Sequence, residues 1–328
     1  DDSVFVPRWR TRVFCMECIG NLIDVVANTK SNTAHFDMIL VNKLAACERK
    51  DGDWGQNQLD ENEARKYLVF HLQDLVTVSF NCSTSPINAL RPIGVKVLEN
   101  IVERFADAED PHYEGHKLLE LYSAQVAAAL RPAFHKDRSP LLTAAATDVV
   151  VSFVRNTITA EVSALQKVTR LLTSFIDTVE SLEYPSYSEK ASTMVQLKIL
   201  GAIAQLYDAT LPGTQTSSAS SGSLLSEIIE PFLGKLCRLW MLVLRDWAVL
   251  STQSTSVQKT YKGTFYNFSS IAFVMDYYRR VRSDILLAQA SLLNSKHWQN
   301  ESQNVEKSSY EDFSLLVGLC MACLVDCN

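Results

Sequence analysis

The chain has 328 residues, of which 47% are hydrophobic and 21% charged, a composition that excludes a disordered or collagen-like protein. Its 31 basic and 37 acidic residues give a net charge of −6, which argues against a nucleic-acid-binding protein, because such proteins usually carry excess positive charge. Gly (11) and Pro (9) are scarce, although a protein of many strands would need them in its turns.

Helical periodicity runs along nearly the whole chain. In the first segment Met16, Ile19, Ile23 and Val26 recur at spacings of three and four residues, which places them on one face of a helix. No apolar run predicts a transmembrane segment, since the best candidate, 236–250, contains three charged residues. The same periodicity predicts further helices over 34–47, 64–82, 87–107, 116–134, 140–157, 160–183, 188–210, 223–250, 264–293 (broken once) and 310–326.

Prolines and polar segments mark the ends of these helices. A proline cannot continue a helix but can begin one, and Ser188 before an acidic first turn predicts a further helix start. The prolines at such boundaries are Pro86, Pro111, Pro140 and Pro185. Three polar segments, 48–63, 211–223 and 295–309, are predicted to be exposed or flexible loops.

The predicted helices group into pairs of similar length. Pairs begin near residues 9, 64, 116, 161 and 224, a spacing of roughly 45–60 residues, which is close to the HEAT/armadillo period once long loops are allowed for. We therefore predict an all-α fold, a HEAT/armadillo-like α-solenoid of roughly 12 antiparallel helices, forming a single segment over 1–328. A compact helical bundle is the alternative architecture.

Two C-x-x-C pairs, Cys15 with Cys18 and Cys320 with Cys323, are the sharpest indication of a metal site, because four thiolates can bind zinc tetrahedrally. Both pairs lie within apolar helical stripes rather than on tight turns. They also lie near opposite ends of the chain, and helix layers about 8–10 Å apart would separate them widely in a solenoid. We interpret these cysteines as buried core residues.

The histidines and glycines form no familiar catalytic pattern. His112 and His116 are four residues apart, but Pro111 and Gly115 place them in a loop or a first helical turn. The intervening Glu114 fits neither zinc-protease motif. Neither a Ser-His-Asp arrangement nor a glycine-rich phosphate loop is evident. We therefore predict no catalytic, cofactor-binding or metal-binding residues.

Arginines beside aromatic residues form two candidate partner-binding groups. Arg and aromatic residues are favoured at the energetic centres of protein interfaces, and contact with acidic lipids is a weaker interpretation. Alternatively, these arginines bind free carbonyls at a helix end or an acidic residue of the next repeat. The N-terminal arginine group is Arg8, Trp9, Arg10 and Arg12, and the late Tyr/Arg group is Tyr277, Tyr278, Arg279, Arg280 and Arg282.

Several short stretches resemble one family in the same order along the chain. The first reads PRWRTRVF, and another reads AAALRPAF. The matching stretches are 7–14 with Glu17 and Cys18, 119–122, 127–134, 191–194, 263–266, 277–278 and 313–316. In these residues the chain resembles the HEAT repeat-containing protein 5 family, the large clathrin-adaptor accessory protein family. The acidic segment 48–63, the Ser-rich segment 211–223 and the lack of a Trp-Pro pair after the late Tyr/Arg group depart from it.

The resemblance implies a central segment of a very large HEAT-repeat protein that acts in clathrin-adaptor-linked vesicle traffic between endosomes and the trans-Golgi network. The implied partners are the clathrin adaptor complex and its accessory proteins, with no nucleic acid and no cofactor. The implied location is the cytoplasm, peripheral to endosome and trans-Golgi membranes through these partners. No catalytic residues of the family carry over.

Three functions stay open. The leading hypothesis is a non-catalytic protein-interaction scaffold, because a solenoid presents an extended surface to its partners. The second is a purely architectural spacer within a larger assembly. The third is a zinc- or Cys-dependent enzyme that uses the C-x-x-C cysteines.

Overall fold

The protein is described by a computed structural model. It describes residues 8–29, 33–48, 66–135, 139–156, 162–181, 187–211, 225–252, 258, 261–267, 271–294 and 308–326. The three predicted loops, 48–63, 211–223 and 295–309, lie almost entirely outside the described residues, so they stay predictions.

The described residues are helical almost throughout, which confirms the all-α prediction. Their one β-type contact is an isolated bridge between Glu109 and Lys117. None of the described helices combines the length and the apolar character needed to cross a membrane. The α-helices are α1 (Trp9–Asn28), α2 (Met38–Glu48), α3 (Leu72–Ser83), α4 (Leu90–Arg104), α5 (Ser123–Leu130), α6 (Pro140–Asn156), α7 (Val162–Thr173), α8 (Ile176–Ser181), α9 (Glu189–Asp208), α10 (Leu233–Ser251), α11 (Ile271–Asn294) and α12 (Ser308–Asp326).

The chain divides into two compact units. The first comprises Asp1–Arg138 and Asp148–Val168, and the second comprises Ser139–Thr147 and Thr169–Asn328. The prediction of a single solenoid segment over 1–328 concerns the relation between these units and stays a prediction.

In the first unit, α4 is the central helix. It packs against α1 on one side and α3 on another, and α3 also packs against α5. Gly94 permits the close approach of α4 to the end of α3, because a Cβ there would lie 2.5 Å from the backbone nitrogen of Ser83. Between α1 and α4, the Asn100 side-chain amide donates a hydrogen bond to Asp24 at 3.2 Å.

In the second unit, α11 packs against both α9 and α10. Gly201 of α9 lies so close to Val281 of α11 that an added Cβ would be 2.8 Å from its Cγ1. The buried indole of Trp240 on α10 donates a hydrogen bond to the Leu200 carbonyl of α9 at 3.1 Å. The close glycine contact and the buried indole bond tie these three helices together.

The predicted helices over 34–47, 160–183 and 264–293 differ from the observed ones, the first because a separate 3-10 turn, Thr33–Phe36, precedes α2. The predicted helix over 160–183 is divided into α7 and α8. At the division the Ser174 hydroxyl donates a hydrogen bond to the Leu171 carbonyl, and Phe175 N–H donates to the Leu172 carbonyl three residues back instead of four, which interrupts the α-helical pattern. Over 264–293 the sequence predicts a helix that is broken once. The observed helix α11 instead begins later, at Ile271, and is unbroken, while residues 264–267 are not helical.

Only some of the residues predicted to begin a helix do so in the structure. Pro140 begins α6, as predicted. Pro111 instead lies in an exposed loop, because the Asp110 carboxylate accepts from His112 N–H at 2.8 Å and Gly115 adopts a φ of 82°. Ser188 precedes α9 as predicted, although its side chain makes no capping hydrogen bond.

Candidate functional site

The N-terminal arginine group lies at the start of α1. Arg8 immediately precedes the helix, and the side chains of Arg8, Arg10 and Arg12 are all exposed. Trp9 is half-buried, and the Arg10 guanidinium lies 5.4 Å from the centroid of its ring. Arg10 is therefore engaged on its own helix, whereas Arg8 and Arg12, one helical turn apart, are directed elsewhere.

Arg8 and Arg12 line a groove of about 940 Å³ in the first unit. We call it the α1–α3 groove. Val78, which is 39% exposed, and half-buried Ile19 supply accessible apolar surface, while Met16 and Leu90 are almost fully buried beneath it. The lining residues are Arg8, Thr11, Arg12, Cys15, Met16 and Ile19 from the α1 side and Val78, Asn81, Cys82, Ser85 and Leu90 from α3, the turn that follows it and the start of α4.

The electrostatic character of the α1–α3 groove is positive. None of the described residues lining it is acidic, and the first turn of α1 contains no acidic residue either. The amide groups at a helix start carry partial positive charge, so Arg8 and Arg12 add to a field that already attracts anions. Burial raises the pKa of the Cys82 thiol, and the Arg12 charge across the groove partly opposes this shift.

The exposure of three cysteines corrects the interpretation of Cys15, Cys18 and Cys320 as buried core residues. Cys15 and Cys18 are exposed, because the buried face of α1 is formed by Met16, Gly20 and Ile23 and neither cysteine lies on it. Cys320 on α12 is exposed as well, and the side chain of Cys323 lies outside the described residues. Within the described part of the chain, no three His, Cys, Asp or Glu residues gather as metal ligands would.

The late Tyr/Arg group lies on α11 in the second unit and does not form one surface. Tyr278 is completely buried, so this residue cannot contact a partner while the unit is folded. Arg282 lies 4.8 Å above the Trp247 ring, and exposed Arg279 pairs with Asp276 of its own helix at 2.8 Å. Tyr277 is half-buried, and Arg280 is exposed. Whether the eight candidate residues other than Tyr278 bind a partner stays a prediction.

Asp246 is the functional-looking residue that the periodicity did not single out. It lies in the middle of α10 with no exposed surface, and its carboxylate accepts hydrogen bonds from α11 and from the non-helical 261–267 segment. The donors are the Tyr278 hydroxyl (2.8 Å), the Tyr261 hydroxyl (3.0 Å), Thr264 N–H (3.0 and 3.1 Å to its two oxygens) and Phe265 N–H (3.2 Å). A charged residue within an apolar helical stripe requires such partners when it is buried. The position of Asp246 within the apolar run 236–250 was the feature of the sequence that could have indicated this network.

Helix α9 holds the same segment from the other side. The Thr193 hydroxyl donates a hydrogen bond to the Phe265 carbonyl. The Glu189 carboxylate accepts from the Asn267 backbone at 2.6 Å and from its side-chain amide at 2.7 Å. The stretch 263–266, one of those that resemble the family, is therefore fixed by α9 and α10, and its role in the structure is packing.

Burial determines the proton affinities in this cluster. It raises the pKa of Asp246, and the four hydrogen-bond donors oppose this shift. Burial also raises the pKa of Tyr266 to about 12, with the Asp246 charge adding to the effect. The pKa values of Tyr261 and Tyr278 are raised by the same two causes, so these hydroxyls stay protonated and remain donors. The cluster has the properties of a buried structural network.

The two histidines considered at the sequence level lie in the exposed loop between α4 and α5. His116 Nδ1 lies 2.8 Å from the Glu120 carboxylate, and His112 uses its backbone N–H to bond Asp110. Their exposure near a helical turn agrees with the interpretation of these residues as surface histidines.

The described helices define an all-α class of protein, and the family comparison makes it a HEAT-repeat protein. The chain belongs to the Laa1/Sip1/HEATR5 family, since the model of that family's HEAT repeat region matches residues 67–249, more than half of the chain. This confirms the resemblance seen in the short sequence stretches.

Two relatives are similar to long parts of the chain. The protein SWEETIE of Arabidopsis thaliana is 34% identical over 203 residues, which are 61% of this chain and 8% of that protein. The AP-1 accessory protein LAA1 of Saccharomyces cerevisiae is 26% identical over 204 residues, which are 57% of this chain and 10% of that protein. The chain thus spans a tenth or less of the length of these relatives. No solved structure is significantly similar to it.

Proposed function

We propose that the chain is a non-catalytic, protein-binding scaffold segment that associates with a clathrin adaptor complex in traffic between endosomes and the trans-Golgi network. The observation that carries this proposal is the similarity to a protein named as an AP-1 accessory protein, within a family of HEAT repeats. HEAT arrays generally work by presenting extended surfaces to other proteins, which supports a binding role over a catalytic one.

The proposed location is the cytoplasmic face of endosome and trans-Golgi membranes, reached through protein partners. The N-terminal arginine group contains only three positive charges, and about 1 kcal/mol per charge at an anionic surface gives weak binding. Recruitment by an adaptor complex is therefore the stronger route to the membrane.

A binding experiment with purified components tests this proposal. The 328-residue chain is immobilised, and purified AP-1 complex is passed over it, with an unrelated HEAT array of the same length as the matched control. We expect saturable binding to the chain and none to the control. Equal retention on both surfaces, or none on either, would show that this chain does not itself bind the adaptor.

A further inference from the structure

The α1–α3 groove combines an apolar wall with a positive end. Of its apolar residues, Met16 and Ile19 lie further along α1 than Arg8 and Arg12, and Val78 lines the groove from α3. The arginines are exposed, and none of the described lining residues supplies a carboxylate to neutralise them. A ligand complementary to this groove therefore carries negative charge at one end and an apolar group at the other.

The dimensions of the groove match a short extended peptide. Arg8 and Ile19 are eleven residues apart on α1, which at about 1.5 Å per residue corresponds to roughly 16 Å. An extended chain rises about 3.3 Å per residue, so about five residues span this length. Arg8 and Arg12 are separated by roughly 6 Å along the helix, close to the distance of about 6.6 Å between alternate residues of an extended peptide.

We propose that the α1–α3 groove binds a segment of a partner protein in extended form, with two carboxylates at alternate positions on Arg8 and Arg12 and an apolar side chain two residues further against Ile19 and Val78. The inference rests on the proposed scaffold function and names the chemistry of one partner segment. Arg pairs carboxylates with two parallel hydrogen bonds, which makes the arginine pair selective for this spacing.

A lipid surface fits the groove less well. Lipid-binding clusters usually contain about four to eight basic residues on an exposed face, whereas Arg8 and Arg12 are the only basic residues among the described ones that line the groove. The apolar residues between α1 and α3 also lie inside a depression, and a depression accommodates a side chain better than it accommodates a flat bilayer.

Fluorescence anisotropy with a labelled peptide tests the proposal on the purified 328-residue chain. The probe is acetyl-Asp-Ser-Asp-Ser-Leu-amide, and the matched control peptide has both Asp residues replaced by Asn. We expect the Asp peptide to bind and the double variant R8Q/R12Q to bind it roughly tenfold or more weakly, which corresponds to about 1.4 kcal/mol. Arg10→Gln is the matched control variant, because Arg10 stacks on Trp9 and does not line the groove.

Cysteine alkylation locates the bound peptide independently. Cys15 lines the groove, while Cys18 on the same helix is exposed outside it. At a peptide concentration about ten times the Kd, the alkylation rate of Cys15 should fall roughly tenfold, whereas that of Cys18 should stay unchanged. Mass spectrometry of the two alkylated peptides measures both rates in one sample.

Four results would overturn the proposal. They are equal affinity of the wild type and R8Q/R12Q, equal protection of Cys15 and Cys18, and binding to phosphatidylserine vesicles without binding to the peptide. The fourth is an Asp peptide that binds no more tightly than the Asn control peptide. If the peptide does not bind, the AP-1 binding experiment can still succeed. The groove proposal and the scaffold proposal can therefore be rejected independently of each other.

Discussion

Asp246 illustrates how one buried residue can hold a segment that the helical pattern leaves undefined. Its carboxylate binds two backbone N–H groups of the 261–267 segment and the hydroxyls of Tyr261 and Tyr278. Because all its partners are donors, removal of the carboxylate leaves several buried donors unpaired, and each unpaired group costs about 1–3 kcal/mol.

We expect Asp246→Leu to lower the free energy of unfolding by at least about 3 kcal/mol. The matched control is Asp276→Leu on α11, where the exposed carboxylate pairs with exposed Arg279, and its effect should stay within about 0.5 kcal/mol. Urea denaturation followed by circular dichroism measures both. Equal stability of the two variants would contradict the structural role of Asp246.

The stability contribution of Asp246 also depends on pH. Because burial raises its pKa in the folded state, the folded protein binds this proton more tightly than the unfolded chain, where the pKa is about 3.9. The stabilisation from the proton is complete below about pH 4 and is lost as pH rises through the folded pKa. The stability difference between the wild type and Asp246→Leu should therefore shrink as pH rises from 4. Denaturation curves at several pH values check this, and a difference that grows with pH would show a lowered pKa.

At the scale of elements, the packing of α3 against α4 depends on a single glycine. A Cβ at Gly94 would lie 2.5 Å from Ser83 N and 2.9 Å from the Cys82 backbone, and backbone atoms cannot turn aside as a flexible side chain can. A Cβ at Gly20, also buried in a helix, would lie 3.4 Å from a methyl group of Val97, which is an ordinary contact.

Gly94→Ala is therefore expected to destabilise the protein by about 1–3 kcal/mol, since overpacking outweighs the better helix propensity of alanine. Gly20→Ala is the matched control and should be neutral or stabilising by up to about 1 kcal/mol. Thermal unfolding of both variants makes the comparison. A Gly94→Ala protein as stable as Gly20→Ala would mean that α3 and α4 do not approach this closely.

Most helices were predictable, because apolar residues at three- and four-residue spacing leave few alternatives to a helix. The exposed faces were less predictable. Cys15 and Cys18 look like members of an apolar stripe, but α1 buries only the narrower face that meets α4. The start of α11 was also missed, because the 261–267 segment is held by Asp246 and Glu189 from distant parts of the chain.

At the scale of the whole molecule, short sequence stretches were enough to identify the family, but the sequence did not predict the α1–α3 groove. The arginines were visible in the sequence, but Val78 and Leu90 come from helices some sixty residues or more further along the chain. Only tertiary packing brings such residues together, and periodicity contains no information about which helices meet.

Membership of the Laa1/Sip1/HEATR5 family leaves the choice between a binding segment and a spacer to experiment. A spacer can be replaced by any solenoid of equal length, whereas a binding segment presents particular side chains such as Arg8 and Arg12.

The most direct measurement replaces the 328 residues, within the full-length protein in cells, by an unrelated HEAT array of equal length. Co-purification of the AP-1 complex is then quantified against the wild type and against R8Q/R12Q. A binding scaffold predicts that the replacement abolishes co-purification, with a partial loss in R8Q/R12Q. Full co-purification by the replaced protein would contradict the scaffold function and identify this chain as a spacer.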